Sequence, residues 1–249
     1  MMNEKVAIIT GASRGIGAAT AKLFAEHGAK VVVNYANNKK AAQEVVESIR
    51  EKGGESIAIQ ADVRNQDEVD SLVKETILQF GKVDVLVNNA AISFAMKSLC
   101  DMEWDEFRSK LEEEVKAAFI ATKSVLPFMK EQKYGKLVYI SSNLSHLPLP
   151  NFIAHGTAKG ALNSFVKYVA QELGPFHITA NVVAPAMVET DATSQNPVEI
   201  KEQVKMSTPL GRIAKPEDIA RSVLFFASDQ SAFVTGTYAP VSGGMEMNN

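Results

Sequence analysis

The chain has 249 residues, of which 46% are hydrophobic and 22% are charged, and its formal net charge is −3. This composition is that of a soluble globular protein, and the small net charge argues against nucleic acid or an acidic membrane as a partner. Cys100 is the only cysteine, which excludes an internal disulfide and a cysteine-based metal site, and we predict no metal. No apolar run approaches the roughly 18 residues that span a bilayer. Since no charged-then-apolar leader precedes the first strand, we expect a cytoplasmic protein.

Short apolar runs alternate with longer amphipathic stretches along the whole chain. The predicted strands cover residues 6–10, 30–34, 56–60, 83–88, 135–142, 178–184 and 238–241. The predicted helices cover residues 15–27, 39–52, 67–80, 102–130, 157–173 and 216–227, with Pro127 expected to bend or shorten the fourth. The strands are nearly continuously apolar, which favours a parallel sheet covered by helices on both faces. The sequence therefore predicts one α/β domain over residues 1–249, a Rossmann-type doubly wound sheet.

Three glycines, Gly11, Gly15 and Gly17, lie directly after the first strand and open the first helix. A glycine-rich turn brings backbone N–H groups and the positive end of a helix close to a pyrophosphate. The spacing is G-x-x-x-G-x-G, which differs from the commoner G-x-G-x-x-G pattern. A tight turn at a crowded edge of the sheet is the alternative, but its position favours a dinucleotide site. We expect the rest of the turn, Ser13, Arg14 and Ile16, to belong to that site.

The residues at the end of the second strand indicate whether the dinucleotide is NAD or NADP. NAD-dependent enzymes place an acidic residue there, which binds the ribose 2′-hydroxyl. Residues 34–38 contain no carboxylate. We expect Asn34 and Tyr35 at this position to bind the cofactor, with the Asn34 amide facing a 2′-phosphate. Arg14 in the turn and Lys39 after the strand offer cations to a 2′-phosphate. The sequence therefore predicts NADP(H), although Lys39 is also explained as a solvated helix start.

Further motifs follow the glycine turn in a fixed order. They are Asp62-Val63, Asn88-Asn89-Ala90-Ala91, Ile140-Ser141-Ser142, the segment from Ala180 to Ala186, Thr190, Pro209-Leu210-Gly211-Arg212 and Val241-Ser242-Gly243-Gly244. With the turn, they resemble the short-chain dehydrogenase/reductase family over essentially the whole chain, and in particular its 3-oxoacyl-[acyl carrier protein] reductase-like members. The resemblance implies that the cofactor also contacts Asp62, Val63, Asn89, Ala90, Pro185 and Thr190.

The catalytic positions depart from the family pattern. Members of this family use Asn, Ser, Tyr and Lys, with the last two in Y-x-x-x-K. The matching segment here runs from His155 to Lys159, and Ser142 precedes His155 by 13 residues. The resemblance therefore implies that Ser142, His155 and Lys159 are catalytic, with His155 in the tyrosine position. The family asparagine falls at Glu114, which we expect on an exposed acidic face of its helix.

Histidine changes the acid chemistry that this position supplies. The family tyrosine donates a proton to the reduced carbonyl oxygen, and histidine can also act as a general acid. A nearby lysine lowers the pKa of histidine from its usual value of about 6.5, unless a carboxylate such as Glu114 compensates. Imidazole is also shorter than phenol by roughly 2 Å, and small misplacements are costly in catalysis. Two interpretations of His155 remain open, a proton donor and a neutral residue in an idle pocket.

The resemblance implies an NADP(H)-dependent oxidoreductase that reduces a small-molecule carbonyl to an alcohol, with a 3-oxoacyl thioester as a candidate substrate. The alternative is a catalytically impaired, cofactor-binding pseudoenzyme that acts as a partner subunit or redox sensor. A third hypothesis is elimination or isomerisation with neutral His155 as the base.

Substrate and assembly are less well determined by the sequence. Residues 186–208 are rich in apolar side chains, which would cover a lipophilic substrate or pack as short helices on the core. Docking of an acyl carrier or coenzyme A thioester calls for a basic rim, for which Lys130, Lys133 and Lys136 are candidates. The family resemblance implies a homotetramer built on the helices at 102–130 and 157–173.

Overall fold

The computed structural model describes residues 1–247, which form one seven-stranded sheet in the order β3-β2-β1-β4-β5-β6-β7. Its strands are β1 Val6–Ile9, β2 Lys30–Tyr35, β3 Glu55–Gln60, β4 Val85–Asn88, β5 Gly135–Ile140, β6 Ile178–Pro185 and β7 Tyr238–Val241. All neighbouring strands pair in parallel. Every residue of β1, β5 and β6 is buried, as the continuous apolar runs predict for strands covered on both faces.

Helices cover both faces of the sheet. They are α1 Gly15–Glu26, α2 Lys39–Arg50, α3 Gln66–Phe80, α4 Trp104–Glu131, α5 Ile153–Leu173, α6 Asp191–Ser194, α7 Val198–Ser207 and α8 Pro216–Ala227. One core cluster contains residues of α1, α2 and α8, including Phe24 and Ile219. The other contains residues of α3, α4 and α5, including Leu72 and Leu162. The predicted single-domain, doubly wound fold is confirmed. In the described part of the chain, no helix combines the length and the apolar character needed to cross a membrane.

Several element boundaries differ from the sequence prediction. Helix α5 begins at Ile153 and not at residue 157, so His155 lies in its first turn. Strand β5 ends at Ile140, which leaves Ser142 in the loop beyond the sheet. Helix α4 continues past Pro127 to Glu131, so the expected shortening does not occur.

The strand order reverses between β1 and β4, which pair with each other in the middle of the sheet. In doubly wound sheets, ligands bind outside the carboxyl ends of the strands at this point. The glycine turn follows β1 and the asparagine motif follows β4, so both lie at the reversal. The segments after β5 and β6 lie along the same edge. The fold therefore gathers the predicted motifs at one edge of the sheet.

Candidate active site

The glycine turn packs against the segment that follows β4. Gly11 and Gly15 have positive φ angles of 61° and 56°, a region that side-chain-bearing residues rarely adopt. A Cβ atom on Gly11 would lie 2.8 Å from the Cα atom of Ala90, and one on Gly17 would lie 2.5 Å from Nδ2 of Asn89. The Arg14 side chain does not cap α1, so the first N–H groups of the helix remain available to an anion. This cradle fits a pyrophosphate.

Thr10, Asn89 and Ala90 hold the glycine turn in place. The Thr10 hydroxyl oxygen accepts hydrogen bonds from the backbone N–H groups of Asn89 at 2.9 Å and Ala90 at 3.0 Å. The Asn89 side chain donates to the carbonyl oxygens of Thr10 at 2.8 Å and Gly11 at 3.1 Å. The asparagine motif therefore fixes the conformation of the turn.

Asn34 and Tyr35 face inward. Asn34 is 1% exposed, and its side chain accepts from the Gly11 N–H at 3.2 Å and donates to the Ala61 carbonyl at 3.0 Å. Tyr35 is also buried, in the core cluster shared with α1 and α2. The expectation that the Asn34 amide meets a 2′-phosphate does not hold, because that amide supports the turn from beneath. Arg14, by contrast, is exposed, as are residues 36–40.

Asp62 and Val63 follow β3 at the same edge. The Asp62 carboxylate accepts hydrogen bonds from the Arg64 guanidinium at 2.7 and 2.9 Å, and this pairing lowers the pKa of Asp62. Arg64 also donates to Glu113 of α4 at 2.8 Å. Val63 is buried and lines a small cavity of about 20 Å³ beside Glu114. Arg64 is therefore an organising residue that the sequence analysis missed.

Two further predicted cofactor contacts, Pro185 and Thr190, come from the second half of the chain. Pro185 is the last residue of β6 and pairs with Val241 of β7. Thr190 directly precedes α6, and a Cβ atom on Gly15 would lie 3.4 Å from its methyl carbon. The structure thus brings Thr190 against the glycine turn, as its predicted cofactor contact requires.

Ser142 lies beyond the end of β5 and is half-buried. Its hydroxyl oxygen accepts a hydrogen bond from the Leu144 N–H at 3.2 Å, which leaves the hydroxyl proton free to donate. The first turn of α5 packs on this loop, since a Cβ atom on Gly156 would lie 2.7 Å from the Leu144 carbonyl oxygen. Only glycine allows this approach, so Gly156 brings the segment that carries His155 against the Ser142 loop.

Lys159, Glu114 and Lys110 form a buried ionic cluster. The two Glu114 oxygens accept separately, one from Lys159 at 2.6 Å and the other from Lys110 at 2.5 Å. All three residues are at most 7% exposed. Burial by itself raises the pKa of Glu114, but the two ammonium groups outweigh it and lower the pKa to about 2. The expectation of an exposed Glu114 is wrong, because α4 turns this position toward α5.

Lys110 is a further residue that the sequence analysis missed. It also donates to the Ile92 carbonyl at 2.7 Å, in the loop after β4, just as Lys159 donates to the Ile140 carbonyl at 2.7 Å. The spacing of four residues between Lys110 and Glu114 is the signal that could have found it, because such residues are neighbours on a helix.

His155 packs against Phe94 and lies near the ionic cluster. Its ring stacks on Phe94, and its Nδ1 atom is buried with no hydrogen-bond partner within residues 1–247. Burial lowers the pKa of His155 to about 3, and the Lys159 and Lys110 cations add to the effect. Glu114 opposes the shift, but it is already shared between two cations. The imidazole is therefore neutral at physiological pH.

The candidate basic rim lies elsewhere. Lys136 is 3% exposed and stands near the beginning of β5, whereas Ser142 follows the end of that strand. Lys130 and Lys133 directly precede β5 and therefore lie near the amino ends of the strands. The Lys130 ammonium group lies over the ring of Phe176. Because parallel strands start at one edge and finish at the other, these lysines do not surround the candidate site of their own chain.

The segment after β6 contains the short helices α6 and α7 and several exposed apolar side chains. Helix α7 has no buried residue, and Val198 and Met206 are 68% and 85% exposed. Helix α7 therefore adds no fully buried side chain to the core. Beneath it lies a cavity of about 220 Å³ whose lining includes Met187, Val204 and Leu210.

Comparison with known proteins agrees with this arrangement. A family model described as enoyl-(acyl carrier protein) reductase matches residues 11–246. The 3-oxoacyl-[acyl-carrier-protein] reductase of Synechocystis is 40% identical over 99% of this chain and 98% of its own length. The protein of the same name from Staphylococcus aureus is 39% identical over 99% of this chain and 100% of its own. A solved structure, a double mutant of a Serratia marcescens short-chain dehydrogenase/reductase, superposes with a TM-score of 0.91 at 31% identity and covers 99% of both chains.

The chain belongs to the short-chain dehydrogenase/reductase family. The named relatives are reductases. The chain shares its fold with the Serratia family member, and the predicted motifs meet at the carboxyl ends of the strands of that fold. Within residues 1–247, no group of three or more His, Cys, Asp or Glu side chains is placed to hold a metal ion. The polar groups that this short-chain dehydrogenase/reductase presents at its candidate site are Ser142, His155 and the ionic cluster around Glu114.

Proposed function

We propose that the protein is an NADP(H)-dependent oxidoreductase that reduces a carbonyl group to an alcohol with an atypical active site. The observation that carries the proposal is that the glycine turn, Ser142, His155 and Lys159 lie along one edge of the sheet. The names of the relatives, 3-oxoacyl-[acyl-carrier-protein] reductases, support the reaction type. The exposed Arg14 and the absence of a carboxylate at residues 34–38 support the choice of NADP(H).

Each polar residue has a distinct role in this proposal. The bound cofactor would supply a hydride to the carbonyl carbon. The Ser142 hydroxyl donates a hydrogen bond to the oxygen on which negative charge develops. Lys159 has an N–H that is not used by Glu114 or Ile140, and this N–H would hold a ribose hydroxyl of the cofactor. His155 donates the proton in its cationic form, which is a small fraction of the molecules because the pKa is about 3.

We propose a 3-oxoacyl thioester as the substrate, linked to an acyl carrier or coenzyme A. The cavity beneath α7 supports an acyl chain, because apolar side chains form much of its lining. We further propose a cytoplasmic homotetramer in which α4 and α5 form the interface. The exposed aromatic side chains of Phe119 on α4 and Tyr168 on α5 support this assembly.

The second candidate function is a cofactor-binding pseudoenzyme that acts as a partner subunit or redox sensor. The neutral state of His155 favours it, because neutral imidazole is a poor proton donor. Under this hypothesis the protein binds NADP(H) tightly and turns nothing over.

A panel of ketones and 3-oxoacyl thioesters, assayed with NADPH, separates the two functions. The reductase hypothesis predicts turnover that rises about tenfold for each unit of pH lowered from 8 to 5, since only protonated His155 acts. The His155→Tyr variant is the matched comparison. Turnover by this variant alone would show an intact pocket without its proton donor and would favour the pseudoenzyme. Absence of NADPH oxidation by both proteins across the range would contradict the reductase hypothesis.

A further inference from the structure

The cluster of Lys110, Glu114 and Lys159 carries two positive charges and one negative charge. All three groups are buried, so solvent screens them weakly. A buried ion without a partner is costly, and one carboxylate leaves one cation uncompensated. Stability alone therefore does not explain why the protein buries a second lysine beside the Glu114–Lys159 pair.

The hydrogen bonds show how the charge is divided. Each ammonium group uses two N–H donors, one to Glu114 and one to a backbone carbonyl. Within the described residues, neither third N–H has an acceptor. Without Lys110, the Glu114–Lys159 pair would be neutral as a whole. With Lys110, the pair is flanked by a second cation and the cluster keeps a charge of +1.

We propose that Lys110 is a positioning residue that offsets the charge of Glu114, so that Lys159 presents a full positive charge to the anionic cofactor and the reacting oxygen. Lys110 acts through Glu114 and does not itself touch the substrate. The role of Lys110 toward the reacting oxygen rests on the proposed function. Its effect on NADPH affinity can be measured without turnover.

The charged groups around His155 provide a second readout. Lys159 on its own helix and Lys110 across the site both disfavour the imidazolium, and Glu114 favours it. Glu113 is the other carboxylate that acts on Lys110, and it is already bound to Arg64. Removal of Lys110 should therefore raise the pKa of His155, and removal of Glu114 with it should partly reverse the change.

The test is a double-mutant cycle of Lys110→Met, Glu114→Gln and the double variant. NADPH affinity is measured by fluorescence titration, and His155 protonation by NMR of the imidazole. Lys110→Met should weaken NADPH binding on the order of tenfold, comparable to the loss of one hydrogen bond to a charged group. The double variant should regain most of the wild-type affinity, because Lys159 again stands without an opposing carboxylate.

Lys116→Met is the matched control, since it removes the same charge from an exposed position of α4. Lys110→Gln is the second variant, because it keeps a donor for the Ile92 carbonyl while removing the charge, and it should behave as Lys110→Met does. The proposal is overturned if Lys110→Met binds NADPH as Lys116→Met does, or if the double variant is no better than the single one. Absence of turnover in every protein would contradict the proposed function, while the cycle of affinities would still decide the role of Lys110.

Discussion

The ring of His155 stacks on the ring of Phe94, with centroids 4.5 Å apart and an angle of 22° between the planes. This contact removes one face of the imidazole from water, and the Nδ1 atom is buried without a partner within residues 1–247. Because the charged imidazole would lose its hydration here, the neutral form is favoured. The protonation state of the candidate acid is thus set by an aromatic neighbour as well as by the lysines.

We expect acid to destabilise the protein through His155. The folded-state pKa of about 3 lies below the value of about 6.5 in the unfolded chain, so the unfolded state binds the proton first. The free energy of unfolding should therefore fall as the pH drops below 6.5, by up to about 1.4 kcal/mol per pH unit, until the pH approaches 3. Urea unfolding between pH 7 and 4 measures this slope. In the His155→Gln variant this pH dependence of the free energy of unfolding should disappear. Substitution of the exposed His177 by Gln should leave it unchanged.

We expect Glu114→Gln to destabilise the protein strongly. The substitution leaves two buried ammonium groups without a carboxylate, and breaking a buried ion pair costs about 3–5 kcal/mol. Chemical denaturation at pH 7 gives the difference. Glu112→Gln on the same helix is the control, because that carboxylate is 60% exposed and its substitution should change stability by less than about 1 kcal/mol. Equal stability of the two variants would contradict a stabilising role of the ion pairs that Glu114 forms with Lys110 and Lys159.

Gly17→Ala should abolish tight binding of the dinucleotide while leaving the fold intact. A Cβ atom at this position would lie 2.5 Å from Nδ2 of Asn89 and would displace the side chain that holds the turn. We expect NADPH affinity to fall by more than about tenfold, or 1.4 kcal/mol. Gly160→Ala is the control, because a Cβ atom there meets no atom within 4 Å. Unchanged affinity for NADPH in the Gly17 variant would contradict the placement of the pyrophosphate.

Arg14→Ala should remove the preference for NADPH over NADH. The exposed guanidinium is the cation of the turn, and a charge-assisted bond to a 2′-phosphate is worth about 1.5–3 kcal/mol. Isothermal titration should show weaker binding of NADPH by about tenfold or more and unchanged binding of NADH. Lys74→Ala, at an exposed position of α3, serves as the charge-matched control. A preference of the wild-type protein for NADH over NADPH would contradict the assignment of NADP(H) as the cofactor.

The run Glu112-Glu113-Glu114 shows why sequence reasoning placed the fold better than the site. Three consecutive acids resemble a solvated helix face, yet successive helical residues point about 100° apart. Glu112 binds Arg108 at the surface, Glu113 binds Arg64, and Glu114 points inward to the ionic cluster. Only the packing of α4 on α5 decides which of the three is buried.

The sequence by itself determined the parallel sheet, the glycine turn and the order of the motifs, because apolar periodicity and glycine spacing are local properties. The tertiary structure alone decided the charge state of the site. Glu114 and Lys159 are 45 residues apart and meet at 2.6 Å, and Asn34 turns inward to bind Gly11. Burial and charge pairing depend on which distant elements pack together, and these two effects set the protonation of His155.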